Sequence, residues 1–480
     1  MILMKVNLFI NNKEIEADSY TELKDPGRFD DVVGYVADGN ANHVDQAVQA
    51  AYQAFLSWRK TPLKEKISLI LQSANMIENA KSELAEITAK ENGMLVDRTK
   101  GEIAMGIAGM RNLADLAETA FDPQQMEDEA GWVTVEKRPM GVIAGIVPWN
   151  APLVLTMQKI APTLLAGNTI VIKPSPFATM GVTTLLKKIS GLFPSGVINI
   201  VHGDAEVGSA LTTHPIVRKI SFTGGGQTAK MVMKSAAETL KGIHLELGGN
   251  DPAIVLDDAD IEEVVPKIVE GTFRRTGQFC FAIKRVYVPR SIYEDFYKKV
   301  VEVTDAYTIG HQLNKNVTMG PLNNRQQYTN VNALIERMEK NGANMVKLGK
   351  VLEPNDWDKG YYIQPRVVRD VQKDAEVVTC EQFGPILPLI PYDSVEEVIK
   401  LANDSEYGLG SSIWSSDSER ALHVAREIEA GLTFINGHGQ TPLGLKYMPF
   451  GGVKQSGIGR ENSTVVFDEF IEYQGINYHK

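Results

Sequence analysis

Cysteine is scarce in this chain: Cys280 and Cys380 are its two representatives among 480 residues. So small a number cannot build a disulfide framework, and a reducing compartment, the cytoplasm, is expected. No run of about eighteen apolar residues occurs, so no membrane-spanning helix is expected. The opening Met1-Ile2-Leu3-Met4-Lys5 meets charge and asparagine too soon for a secretory leader. Positive charge is also in deficit, with a formal net charge of −11. That opposes nucleic acid and anionic membrane as partners, although an anionic cofactor can still sit in a local positive pocket. There is no H-E-x-x-H and no C-x-x-C, and the eight histidines are scattered, so no metal is expected. No G-x-S-x-G elbow announces a serine hydrolase.

What the chain does have is an ordinary globular composition, 43% hydrophobic and 23% charged. At this length one core does not suffice, and two or three domains are expected. Residues 1–20 read as short β segments with a turn at Asn11-Asn12-Lys13, and helical periodicity dominates from Val44 to Asp115. Residues 121–140 are polar and acidic, with Trp132-Val133-Thr134-Val135 as an exposed strand. They form either a surface hairpin or an arm that pairs with another subunit. From Gly141 onward, near-continuous apolar runs alternate with helical segments. The runs 142–147, 169–172, 197–201, 218–222 and 243–247 predict a doubly wound parallel sheet covered on both faces. A second α/β cycle follows Asp251, with strands over 285–288, 411–414 and 432–435 and a helix near 395–402.

Chemistry-bearing residues fall at the ends of these elements. Cys280 stands in Thr276-Gly277-Gln278-Phe279-Cys280, and thirty-four residues upstream Glu246 lies in Leu245-Glu246-Leu247-Gly248-Gly249-Asn250. A thiol and a carboxylate in a glycine-rich turn suggest a covalent enzyme with a separate water-activating base. The ordinary reading of a cysteine is a small buried apolar residue. Between a strand and a helix, Gly224, Gly226 and Ala229 satisfy G-x-G-x-x-A, and Glu246 follows about twenty residues on. Taken literally, that dinucleotide fingerprint makes Glu246 a ribose ligand.

Pro148-Trp149-Asn150-Ala151-Pro152 puts Asn150 at the carboxyl end of a parallel strand, where open α/β sheets hold ligands. Its amide can donate to an oxyanion, or the stretch can simply cap the next helix. Lys173 ends the next strand in Ile172-Lys173-Pro174-Ser175-Pro176, as a solvated strand end or as a cation facing a ribose or phosphate. Glu381, in Cys380-Glu381-Gln382-Phe383-Gly384-Pro385, is a surface charge or an acceptor for ribose hydroxyls. The glycine density between Pro449 and Glu461 implies tight backbone passage, without the strand and spacing of a P-loop.

Together these stretches resemble the NAD(P)-dependent aldehyde dehydrogenase superfamily, from about Thr21 to Glu472. The resemblance rests on Pro148-Trp149-Asn150, Lys173-Pro174-Ser175, Phe222-Thr223-Gly224, Leu245 to Gly249, Gly277 to Cys280, Glu381 to Pro385 and Pro449 to Gly457, in the family's order. It implies an α/β fold with a Rossmann-like cofactor domain (1–120 and 141–248), a second α/β catalytic domain (249–447) and a β oligomerisation arm (121–140 and 463–480). Cys280 would be the nucleophile, with Asn150 and the backbone N–H of Cys280 as the oxyanion hole. Glu246 would be the general base, which displaces the ribose-ligand reading. Lys173, beside Ser175 and Pro176, would meet the adenosine ribose, and Glu381 the nicotinamide ribose. Trp149, Gly248 and Phe383 would line the cofactor site, and Gly225 would open a helix beside the pyrophosphate.

Further expectations follow from the same resemblance. The cofactor is NAD, with NADP tolerated because Pro176 stands where many NAD-preferring members carry glutamate. Ala229 replaces a common glycine. Retention of Glu246 implies hydrolysis of the thioester rather than its transfer to CoA. Cys380 gains no role and is read as packing. The 121–140 arm and a C-terminal strand over 467–478 would pair across subunits in a homodimer or homotetramer. Phe279 and Phe281 flank the nucleophile, and Ala151 widens the pocket where an aromatic often stands. Gln158 replaces the arginine of some succinic-semialdehyde enzymes and the tryptophan of betaine-aldehyde ones. A neutral aromatic or medium aliphatic aldehyde is therefore expected. The alternatives are a broad-specificity or semialdehyde dehydrogenase, or a catalytically silent structural relative.

Overall fold

The computed structural model describes residues 4–440 and 444–480. The first three residues of the opening stretch, on which the leader reading partly rested, lie outside them.

Two sheets organise the chain. The first has eight strands, ordered from Gly457–Ile458 through Gly242–Glu246, Val217–Thr223, Val142–Val147, Thr169–Pro174 and Ile198–Ile200 to Leu8–Ile10 and Lys13–Ile15. Its five central strands pair in parallel, and the outer ones are antiparallel. Nearly every residue of the central strands is buried, which is why they read as apolar runs rather than alternations. The strand expected over 169–172 runs on to Pro174, so Lys173 and Pro174 are themselves ladder residues, opposite Ile146 and Val147.

Long helices cover this sheet. Ala41–Trp58 starts at an Asn40 capping box and buries Val44, Ala47, Val48, Ala51, Ala54, Phe55 and Trp58 on one stripe. Each large apolar side chain so buried stabilises the fold by about 1.5–3 kcal/mol. Val96–Ala120 lies against Pro152–Leu165, the helix that follows Asn150. Ala229 is buried on the sheet face of the helix Gly226–Ala237.

After Glu246 the chain crosses through Leu247-Gly248-Gly249-Asn250 into the second sheet. Its seven strands are ordered Asn344–Lys347, Arg366–Arg369, Ile386–Tyr392, Ile283–Pro289, Asp251–Val255, Gly410–Trp414 and Leu432–Ile435. All pair in parallel except the first.

A third sheet stands apart: Gln124–Asp128, Gly131–Pro139 and Ile471–His479. Ile471–His479 pairs along Gly131–Pro139 of the same chain. The C-terminal strand therefore begins at Ile471, not at residue 467. Thr464–Phe470 is a 3₁₀ segment instead, and Val466, Phe467 and Phe470 turn into the core. Its three-residue period aligns Phe467 and Phe470 inward, and Phe467 meets Phe121 edge-on at 4.9 Å.

Candidate active site

The two sheets meet around a cavity of about 730 Å³. Its walls bring together Trp149, Asn150, Ala151, Gln158, Gly225, Glu246, Gly248, Phe279, Cys280, Phe281, Glu381 and Phe383. Lys173, Ser175 and Pro176 are not in these walls; Lys173 lies near the end of the neighbouring strand and Ser175 and Pro176 follow it, at the same carboxyl edge of the first sheet.

The turn that carries Cys280 is built from uncommon backbone. Helix Ile261–Phe273 ends, and Arg275, Thr276 and Gly277 then lie at φ 55°, 58° and 75°. Left-handed geometry at two successive non-glycine residues is strained and must be held by its surroundings. Thr276 Oγ1 donates to the Gly320 carbonyl at 3.0 Å. Arg275 Nη1 donates to the Asn150 carbonyl at 2.6 Å, and its Nη2 lies 3.6 Å from Glu102. At Gly277 a Cβ would stand 2.2 Å from the Gly384 carbonyl oxygen, so the turn presses on the Glu381–Gly384 loop. Cys280 follows, half-buried at the cavity wall.

Asn150 is not spent on capping its helix. Glu102 does that work, accepting from Leu153 N at 2.8 Å and Val154 N at 3.1 Å. The Asn150 side chain turns to the Cys280 turn instead, and its Nδ2 donates to the Gln278 carbonyl at 3.1 Å.

Glu246 ends its strand with both carboxylate oxygens buried and without a hydrogen-bond partner among the described residues. A Cβ on Gly451 would come within 2.8 Å of Oε1, so the glycine-dense stretch passes directly over the carboxylate. His244 Nε2 lies 3.7 Å away. Behind it sits a buried pair, Lys159 and Glu461, at 3.7 Å. Burial, with Glu461 reinforcing it, raises the Glu246 pKa well above the usual carboxylate range, and Lys159 opposes the rise. Sequence reading missed both Lys159 and Glu461. The signals were a lone cation in the otherwise apolar Pro152–Leu165 helix, and an acid closing the glycine-dense stretch.

The cofactor side has the features of a dinucleotide cradle. Gly225 is the N-cap of Gly226–Ala237, and a Cβ added at Gly225 or Gly226 would meet nothing within 4 Å. An open helix N-terminus of this kind suits a pyrophosphate. Gly248 leaves room for a carboxylate: its Cβ would stand 2.1 Å from Glu381 Oε2, while Gly249 N donates to Oε1 at 3.2 Å. Trp149 and Phe383 meet edge-on at 5.6 Å across the cleft. Burial pushes Lys173 down to about 8, with Asp204 opposing the shift. Glu381 lines the cavity and Lys173 ends the neighbouring strand, a carboxylate and an ammonium of the kind that can hydrogen-bond hydroxyls. Cys380 is exposed at the cavity wall, which corrects its reading as packing. It follows the short helix Glu376–Thr379, whose buried residues are Val377 and Val378, so the thiol is left outward.

The other end of the cavity is aromatic. Phe281 meets Phe279 at 5.2 Å and Phe450 at 5.5 Å, both edge-on. Among them lies a cation that sequence reading missed. Arg274 holds its guanidinium 4.8 Å from the Phe279 ring centroid and 5.8 Å from that of Phe281. Its Nε is buried without a partner among the described residues, and burial lowers its pKa to about 10. The signal was the basic pair Arg274-Arg275 just ahead of the nucleophile motif.

The chain is similar to known proteins along nearly its whole length. The chain is 36% identical to an α-ketoglutaric semialdehyde dehydrogenase of Bacillus subtilis, over 96% of each chain. It is 34% identical to the 2-aminomuconic semialdehyde dehydrogenase of Homo sapiens, covering 99% of this chain and 98% of that one. An aldehyde dehydrogenase from Bacillus cereus, solved as its NAD+ complex, superposes with a TM-score of 0.94 at 33% identity, covering 99% of this chain and 97% of that one. The model of the aldehyde dehydrogenase family matches residues 15–476. With a thiol, a buried carboxylate and an amide around one cavity between two α/β sheets, this chain belongs to the aldehyde dehydrogenase family.

Proposed function

We propose that this protein oxidises an aldehyde to its carboxylic acid with NAD(P)+, through a covalent adduct on Cys280 that is released by hydrolysis. The observation that carries this reading is the meeting of Cys280, Asn150 and an unpartnered buried Glu246 in one cavity. Cys280 Sγ, as thiolate, bonds to the aldehyde carbon. Asn150 Nδ2 and the Cys280 N–H receive the resulting oxyanion; one such donor is worth about 2.7–4 kcal/mol. A nicotinamide held in the cleft would accept the hydride lost from the adduct carbon, which would leave a thioester on Cys280. Glu246 takes a proton from water, the hydroxide attacks the thioester carbon, and the C–S bond breaks to free the acid and the thiol. Gly225, Glu381, Phe383, Trp149 and Lys173 would hold the cofactor. Pro176 is exposed and offers no carboxylate against a 2′-phosphate, so NADP is accepted beside NAD.

Arg274 supports an anionic substrate. A desolvated guanidinium without a partner for its Nε attracts a carboxylate. The semialdehyde alternative is thereby favoured over the neutral aldehyde that Gln158 and Ala151 suggested, and relatives named for semialdehydes agree with it. The test is reduced-cofactor formation with succinic semialdehyde, hexanal and benzaldehyde. A charge-assisted contact predicts kcat/KM higher for the semialdehyde by roughly tenfold or more. Equal values would return the substrate to a neutral or broad class. No turnover with any of the three would favour a catalytically silent relative.

The enzyme works in the cytoplasm as a homodimer or homotetramer, in which the exposed sheet of Gln124–Asp128, Gly131–Pro139 and Ile471–His479 reaches a partner subunit. The cofactor domain is 1–120 with 141–248 and the catalytic domain is 249–447.

A further inference from the structure

Lys284 is an anomaly that the proposed mechanism does not use. It lies on the strand Ile283–Pro289 at 1% exposure, directly behind the nucleophile turn. A buried ammonium is costly to desolvate unless opposite charge and hydrogen bonds compensate it. Among the described residues no carboxylate lies within ion-pair distance of it. Its Nζ instead donates to the backbone carbonyl of Phe279 at 3.0 Å and sits 5.2 Å from the centroid of the Phe383 ring.

The Phe279 carbonyl belongs to the same peptide unit as the Cys280 N–H. In a planar trans peptide the two bonds point in opposite directions. Holding the carbonyl inward, where it accepts from Lys284 Nζ and from Ala282 N–H at 3.2 Å, therefore turns the Cys280 N–H outward. A hydrogen bond to the carbonyl from a cation also polarises the unit and strengthens the N–H as a donor.

We propose that Lys284 is a positioning residue of the catalytic centre: it orients the Phe279–Cys280 peptide as an oxyanion donor and supplies the positive charge that sustains the Cys280 thiolate. The proposal rests on Cys280 being the nucleophile. The surrounding charges make the need plain. Burial pushes the Cys280 thiol up to about 12; Glu246 on one strand, Asp251 on another and Glu381 in the facing loop push the same way, and Lys284 opposes them. Arg274 also faces the thiol from the preceding turn. Burial likewise drives Lys284 toward its neutral form, and Glu381, Asp251 and Cys280 each favour its charge. His438, packed beside Asp251, is kept neutral by burial, so it adds no competing cation. The thiolate and the ammonium thus stabilise each other.

The experiment follows iodoacetamide alkylation of Cys280 across about pH 6 to 10, by mass spectrometry of its peptide and by residual activity, since thiolate is the reacting form. Mass spectrometry separates it from the exposed Cys380. Lys284→Met should move the alkylation midpoint up by about one unit or more and lower kcat/KM by about tenfold or more. Lys284→Gln keeps a donor for the Phe279 carbonyl without charge. It should show the same raised midpoint with a smaller loss of kcat/KM, and it carries the charge test alone should the methionine variant not fold. Lys284→Arg should keep the midpoint near that of the native enzyme. An unmoved midpoint in a folded charge-free variant overturns the proposal. If alkylation of Cys280 leaves native activity intact, it is the nucleophile reading that fails instead.

Discussion

The side-chain amide of Asn150 donates to the backbone carbonyl of Gln278 at 3.1 Å, tying the edge of the first sheet to the turn that carries Cys280. One residue type thus joins two jobs, bracing the turn and facing the cavity. Asn150→Ala should lower kcat/KM by about 10²–10³-fold, the usual loss on removing an oxyanion donor. Steady-state kinetics at saturating cofactor reads this directly, and a loss under about threefold would separate Asn150 from the chemistry.

The backbone of that turn offers a second test. Gly277 is left-handed and lies against the Gly384 carbonyl. Gly277→Ala should destabilise the protein by more than the roughly 1–2 kcal/mol of the left-handed penalty, because the clash adds to it. Urea unfolding should show a lower midpoint, and turnover should fall as Cys280 is displaced. An unchanged midpoint would mean that the turn relaxes freely.

Glu246 predicts a pH dependence. Its folded-state pKa is raised well above the ordinary 4.5, by burial first and then by Glu461. The base form is the carboxylate, so the hydrolytic step should be weak just above pH 4.5 and grow as pH rises through the raised value. A kcat profile already flat from about pH 5 would contradict this. Glu246→Gln should retain a burst of reduced cofactor and lose steady turnover; rapid mixing distinguishes the two phases.

For Arg274, the expected signature is selective. Arg274→Gln should raise KM for an anionic semialdehyde by about tenfold or more while leaving a neutral aldehyde nearly untouched. A uniform loss on both substrates would mark the residue as a support for Phe279 and Phe281 rather than as a substrate anchor.

Phe467 tests the corrected C-terminus. It is fully buried against Phe121. Phe467→Ala should cost about 3–5 kcal/mol of stability, read as a lower urea midpoint. A strand residue with its side chain in solvent would cost almost nothing.

The main strands were legible because parallel strands buried on both faces must be apolar along their whole length, a signal that needs no knowledge of neighbours. Cys280, Asn150, Glu246 and Glu381 were legible because each sits in a short motif. Lys159 and Glu461 were not: they meet in the core from distant parts of the chain, and nothing local in either stretch names the other. Arg274 was overlooked for a similar reason, since a basic pair after a helix usually faces solvent. The 464–470 segment misled because its phenylalanines suit a strand as well as a 3₁₀ turn, and only the space beside Phe121 chose between them.

Sequence alone determined that this is a doubly wound α/β chain with a cysteine, an amide and a carboxylate at element ends, because periodicity and composition act over short range. Tertiary structure decided where those side chains point. Asn150 could have capped its helix, but Glu102 took the cap and left the amide to the nucleophile turn. Glu246 matched a ribose ligand in spacing, yet the passage of Gly451 over its carboxylate puts it inside the cavity with Lys159 and Glu461 behind it. The direction of a side chain at the end of a strand is set by what packs against it: for Asn150 the turn that carries Cys280, and for Glu246 the glycine-dense 449–461 stretch.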